Sequence, residues 1–143
     1  MSRDYIERIL RARVYDVAIE SSLQRAPRLS ARTGNTILLK REDEQQVFSF
    51  KLRGAYNTIY HLDAEQRAAG VVAASAGNHA QGVALAGKRL GVHATIVMPV
   101  TTPAIKVETV RRLGGKAVLK GESYDDAYAY AMKLSDEKDL TFI

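Results

Sequence analysis

Cysteine and tryptophan are absent from this 143-residue sequence, and proline occurs only three times. Without cysteine there is no disulfide framework, no thiolate nucleophile and no thiolate metal ligand. A reducing compartment accommodates that composition, and a cytoplasmic setting is expected. The three histidines, His61, His79 and His93, share no metal-ligand spacing with one another or with a carboxylate cluster, so no zinc site is expected. No apolar run approaches the roughly 20 residues of a membrane span. Met1 to Arg13 alternates charge with apolar residues and lacks the continuous apolar core of a signal peptide. There is no internal repeat and no low-complexity linker.

Charge of one sign is also not concentrated. The 21 basic and 16 acidic residues leave a net charge of +5. The basic residues are scattered, in pairs such as Lys40-Arg41 and Arg111-Arg112, with acids nearby. Nucleic-acid binding calls for a basic stripe or a known module, and neither is present. Phosphate-loop patterns fail as well. Gly77 and Gly82 have suitable spacing, but Val83 follows where lysine is needed. Gly82, Gly87 and Lys88 match better, yet Arg89 replaces the magnesium-holding hydroxyl and the match lies within a helix. No GxGxxG dinucleotide fingerprint occurs.

What the chain has is a substantial apolar fraction, 46%, enough for one packed domain of ordinary size. Ser2 and Asp4 are placed to cap a short helix carrying Ile6, Ile9 and Leu10. Val14, Val17 and Ala18 suggest another helical piece. Ala26-Pro27-Arg28 reads as a break, Thr33-Gly34-Asn35 as a turn and Thr36 to Leu39 as a strand. From Lys51 the pattern becomes regular, with a helix to His61 and a second one, capped by Asp63, that stops at Gly70. Strands follow at Val71 to Ala74, His93 to Met98, Lys116 to Leu119 and Leu140 to Ile143. Between them run helices from His79 to Leu90, from Thr102-Pro103 to Gly114, and from Ser123 to about Asp136. Alternating strands and helices with short, right-handed connections predict an open parallel α/β sheet with helices on both faces, preceded by a mostly helical N-terminal segment.

Two places could carry chemistry. In Ser75-Ala76-Gly77-Asn78-His79-Ala80-Gln81-Gly82 a polar, glycine-containing turn joins a strand to a helix. The first amides of a helix lack internal partners and sit at the positive end of its dipole, which suits a carboxylate or phosphate; an ordinary capped turn has the same pattern. Lys51 lies among Phe48, Phe50 and Leu52. Burial in apolar surroundings favours an uncharged amine, the form that attacks an aldehyde. The stretch Lys40 to Glu44 reads as a solvated, charged loop.

Leu39-Lys40-Arg41-Glu42-Asp43, Ser49-Phe50-Lys51-Leu52-Arg53-Gly54-Ala55 and Ser75 to Gly82, in this order and at these separations, resemble the threonine dehydratase family of the biosynthetic type. The likeness continues through Val97-Met98-Pro99, Lys106-Val107 and Arg112-Leu113-Gly114-Gly115, over essentially the whole chain. It implies a fold-type-II enzyme that uses pyridoxal 5'-phosphate to convert threonine to 2-oxobutanoate and ammonia, the first step of isoleucine biosynthesis, and that treats serine similarly. By that resemblance Lys51 carries the covalent link to the cofactor and serves as the base. Phe50 packs against the cofactor and Asn78 hydrogen-bonds its ring hydroxyl. Ser75, Gly77, Asn78 and His79 form the substrate-binding turn, which takes the carboxylate largely through backbone N–H groups.

The family's glycine-rich loop for the cofactor phosphate, and its partner for the ring nitrogen, match nothing in these residues. The resemblance therefore implies that residues 1–52 pack on a larger domain, that 53–143 form a smaller α/β domain, and that the strand ending at Ile143 belongs to a truncated protein. A homo-oligomer, dimer or tetramer, is expected of the full-length protein. Serine racemase and other serine-handling enzymes share much of both motifs and are the alternative enzymes. A non-catalytic α/β module is the alternative of another class.

Overall fold

The structure, a computed structural model, describes residues 4–143. Helix α1 spans Asp4–Arg11, followed by a single 3-10 turn at Val14–Asp16. Strand β1 (Leu23–Arg25), helix α2 (Pro27–Thr33) and strand β2 (Leu38–Lys40) come next, and β1 pairs antiparallel with β2. Pro27 does not break the chain as expected; it occupies the first turn of α2, where a missing N–H costs nothing. The Ser2 part of the expected N-terminal cap lies outside the described residues. The second expected helical piece, at Val14 to Ala18, is only the 3-10 turn.

The regular half begins with α3 (Lys51–Tyr60) and α4 (Ala64–Ala69). Asp63 accepts from the Gln66 amide while the Gln66 side chain accepts from the Asp63 amide, a complete capping box. Then β3 (Val71–Ala74), α5 (Asn78–Leu90), β4 (Ala94–Met98), α6 (Ala104–Arg112), β5 (Lys116–Leu119), α7 (Tyr124–Lys138) and β6 (Thr141–Phe142) alternate. Ser123 and Asp126 form a second capping box at the start of α7. Thr102 does not cap α6 as expected. Pro103 is extended at φ −53, ψ 136, so it takes the cap position and the helix starts one residue later.

Strand order in the four-stranded sheet is β5-β4-β3-β6, and every pair is parallel. Side chains alternate across a strand, and here both sides are covered. Val71, Ala73, Ile96 and Met98 join Ala80, Val83 and Ala84 of α5 and Ile59 of α3 in one core. Val72, Ala74 and Val97 meet Ala127, Ala131 and Leu134 of α7 in the other. That is why β3 and most of β4 read as continuous apolar runs.

Candidate active site

β3 sits between β4 and β6. The chain leaves β3 through α5 toward one edge and returns through α7 to β6 on the other side. Such a reversal of strand order opens a crevice outside the carboxyl ends of the strands, where ligands of open α/β sheets bind. Two segments border it: the turn at 75–77 after β3, and Phe142-Ile143 at the end of β6. His79 Nε2–H donates to the Ile143 carbonyl oxygen at 3.1 Å across the gap.

The turn is braced by its own serine. The Ser75 amide donates to the Val97 carbonyl at 3.1 Å, tying the turn to β4. Ser75 Oγ accepts from the amides of Gly77 (3.3 Å) and Ala80 (3.2 Å). Two N–H groups of the motif are thereby used internally. The amides of Asn78 and His79, the first two of α5, have no acceptor among the described residues. They are the free donors at the positive end of a 13-residue helix.

Lys51 approaches from α3, of which it is the first residue. A cavity of about 420 Å³ has Phe50, Lys51, Gly54, His79 and Phe142 in its wall. A Cβ on Gly54 would meet nothing within 4 Å, so glycine there keeps the wall open. Lys51 Nζ lies 5.2 Å from the centroid of the Phe50 ring, within cation–π range. The structure thus brings Lys51, Phe50 and His79 to one cavity, and sets Ser75 and Gly77 on the adjoining turn and Asn78 at the first position of α5, outside that wall.

The apolar enclosure expected around the amine is not formed. Lys51 is exposed, and Phe48 and Phe50 are themselves 75% and 59% exposed. Burial alternates along this segment: Val47 and Ser49 turn inward, Phe48 and Phe50 outward, and Leu52 enters the core. The amine is left accessible to a carbonyl. Gly54 and Phe142 escaped the sequence reading. Gly54 has a signal, three residues after Lys51 on the same helical face; Phe142 reaches the site only through the strand order.

The stretch Lys40 to Glu44 also differs from the solvated loop expected. Glu42 is half-buried and receives Arg53 in a bidentate pair, Nε at 2.8 Å and Nη2 at 2.9 Å, with Ser21 Oγ donating at 2.7 Å. The Arg53 guanidinium, helped by Ser21 and opposed by burial, holds the Glu42 carboxyl well below the usual range, at about 2. Arg53 also covers the Tyr15 ring at 5.2 Å. Among the described residues no group of three or more histidine or acidic side chains is arranged to hold a metal ion, and no helix is long and apolar enough to cross a membrane.

An accessible primary amine beside an aromatic face, in a cavity next to unpartnered amides, fits a ligand with an aldehyde, a planar ring and an anionic group. The family model described as pyridoxal-phosphate dependent enzyme matches residues 15–143. The chain belongs to the pyridoxal-phosphate dependent enzyme family. Its cofactor is pyridoxal 5'-phosphate. The chain is 58% identical over 145 residues to the L-threonine dehydratase biosynthetic IlvA of Burkholderia multivorans, covering 99% of this chain and 29% of that protein. A solved structure of the processed form of threonine deaminase isoform 2 from Solanum lycopersicum superposes with a TM-score of 0.93 at 56% identity, over 98% of this chain and 39% of that one. Maize serine racemase gives 0.88 at 35% identity, over 96% of this chain and 43% of that one. The chain spans about a quarter of the length of the curated relatives it matches.

Proposed function

We propose that the polypeptide carrying this chain is a threonine dehydratase, releasing 2-oxobutanoate and ammonia from L-threonine at the entry to isoleucine biosynthesis, and pyruvate and ammonia from serine. The observation that carries this reading is the meeting of the Lys51 amine with the start of α5 in one cavity at the switch point of the sheet. The names of the most similar relatives support it. A cytoplasmic setting is proposed on the cysteine-free composition, and a homo-oligomer, dimer or tetramer, for the full-length protein.

When bound, pyridoxal phosphate supplies a carbonyl carbon for an amine and a conjugated ring that accepts charge from the substrate α-carbon. Lys51 would hold it covalently through Nζ, with Phe50 against the ring and Asn78 at the ring hydroxyl. The open amides of Asn78 and His79 take the substrate carboxylate, which orients the Cα–H bond. Lys51 Nζ, displaced by the substrate amine, would accept the α-proton as general base; the β-hydroxyl would leave with a proton as water, and a water is consumed again as ammonia is released. Ser75 serves here as the brace that keeps the turn in shape.

The 143-residue chain by itself is expected to hold the cofactor weakly and to turn over negligibly, because no loop for the cofactor phosphate is recognised in its sequence. Threonine-dependent ammonia release by this polypeptide alone would contradict that part of the proposal. The reading as a whole is tested by product analysis of the full natural polypeptide supplied with pyridoxal phosphate. Keto acid and ammonia from L-threonine support it. D-serine from L-serine, with no keto acid, would move the assignment to the serine racemase alternative that the maize likeness raises.

A further inference from the structure

Lys51 and the carboxylate-accepting end of α5 belong to different helices, so some contact must set the distance between them. Beyond the side-chain packing of Leu52 with Leu85 and of Ala55 and Ile59 with Ala80, Val83 and Ala84, Gly82 of α5 makes a close backbone contact at the residue that carries the amine. An added Cβ at Gly82 would lie 3.0 Å from the Lys51 carbonyl oxygen, 3.1 Å from its carbonyl carbon and 3.2 Å from the Leu52 nitrogen. All three are backbone atoms at the start of α3, which cannot swing aside as a flexible side chain would. Gly82 is buried and does not require glycine for a left-handed backbone, since its φ lies outside that region. Glycine at this position is explained by the close passage of α3.

Position in α5 makes the contact informative. Gly82 stands four residues after Asn78 and three after His79, on the same helical stripe as the two open amides. Four residues correspond to roughly 6 Å along a helix axis, a span that the four-carbon stem of a lysine can bridge. The opposite flank of the same turn of α3 is fixed by the bidentate Arg53–Glu42 pair, with Arg53 Nη2 also donating to the Ile19 carbonyl at 3.3 Å.

We propose that Gly82 and the Glu42–Arg53 pair form a two-sided clamp on the first turn of α3, and that both are positioning residues which set how far the Lys51 amine stands from the bound carboxylate. The proposal rests on the dehydratase reading and adds to it what fixes the geometry. Gly87 supplies an internal control. It lies on the same helix five residues further on, and its added Cβ would collide more severely, 2.7 Å from the Val92 carbonyl oxygen and 2.9 Å from Ala94 Cβ, with no atom of α3 among its three nearest neighbours.

The test compares Gly82→Ala, Gly87→Ala and Glu42→Gln in the full natural polypeptide. Three quantities are read: kcat and KM for threonine, the rate at which borohydride fixes pyridoxal phosphate on Lys51, and amide exchange of Arg53, whose N–H donates to the Phe50 carbonyl at 3.0 Å, in the cofactor-free protein. A displacement of a few tenths of an ångström at Lys51 is expected to lower kcat of Gly82→Ala on the order of 10-fold, with KM within about 3-fold because the amides stay in place. Trapping is slower and Arg53 exchange faster. Glu42→Gln adds no atoms and loosens the same turn from the other side; its expected kcat loss is about 5-fold, with KM unchanged. Gly87→Ala is expected to melt earlier but to keep the trapping rate and kcat per folded site within about 2-fold. Equal losses in Gly82→Ala and Gly87→Ala, or unaltered trapping in Gly82→Ala, overturn the clamp. If Gly82→Ala does not fold, Glu42→Gln decides alone, and unaltered trapping and kcat in it overturn the clamp. Failure of the wild-type protein to be trapped at Lys51 would bring down the dehydratase reading itself, a different result from wild-type trapping with indifferent variants.

Discussion

Residues 4–50 and residues 51–143 obey different economies of burial. In the second region β3 is fully buried, and the two faces of the sheet are closed by α5 on one side and α7 on the other. In the first, Tyr5, Ile6, Ile9 and Leu10 of α1 are 65–80% exposed, and both short strands are exposed throughout. The first region is attached by a small buried cluster, Ala18 and Val47 against Leu52 and Leu85, and by a polar link across the boundary, Arg53 donating to Glu42, while Gln45 and Ile19 hold the first region to itself. The α/β part is organised around its own core, whereas the N-terminal part presents apolar surface outward. We propose that this surface is covered by a larger domain, leaving residues 53–143 as the smaller one. Lys51 stands at the seam, where a polar clamp and a helix packed on the core meet.

Substituting across that seam gives the largest expected effect. Lys51→Ala is expected to lower threonine-dependent ammonia release in the full natural polypeptide by 10³-fold or more, since one residue supplies both covalent attachment and base. Its melting without cofactor should hardly move, because the side chain is exposed. A large loss of stability would mean that Lys51 is structural.

The burial contrast itself is next. Ile96, fully buried in β4, and Ile9, 70% exposed in α1, offer the same side chain in the two regions. Denaturant unfolding of the 143-residue chain, in which that face of α1 is uncovered, should show Ile96→Ala costing about 3 kcal/mol and Ile9→Ala less than about 0.5 kcal/mol. Similar costs at the two positions would erase the distinction drawn between the regions.

The smallest effect is the pH dependence of the polar attachment. The Glu42 carboxyl is depressed to about 2 in the folded protein, from an ordinary value of 4.5. A depressed carboxyl stabilises above its unfolded value and loses that contribution as pH falls toward the folded one. A depression of that size is worth about 3.4 kcal/mol in full, and solvent screening of this partly exposed pair reduces the expected contribution to about 2 kcal/mol at neutral pH, withdrawn between pH 4.5 and 2. In Glu42→Gln the acid sensitivity of that window should shrink, which urea unfolding at pH 6 and pH 3 can measure.

Much of the regular half was legible because its signals are local. The apolar run Val71 to Ala74 read as a strand and is one, buried throughout, Ser123 marked a helix start, and Gly91, left-handed at φ 68, closes α5 where the pattern stops. The β1–β2 pair was not legible in full. Its strands are three residues each, exposed, and joined through α2, so no alternation announces them. Lys51 and the Ser75 to Gly82 turn stood out through motif register. That Ser75 Oγ occupies the Gly77 and Ala80 amides, that Glu42 reaches Arg53, and that Gly82 touches Lys51 depend on side-chain directions and helix packing, which spacing along a chain does not encode.

Borohydride reduction of the full natural polypeptide in the presence of pyridoxal phosphate, followed by peptide mapping, tests the assignment of the reactive amine most directly. The expected result is one label per chain, on Lys51, with labelling slowed by threonine. A label on any other lysine, or labelling of Lys51 no faster than that of exposed lysines such as Lys88 or Lys120, would contradict it.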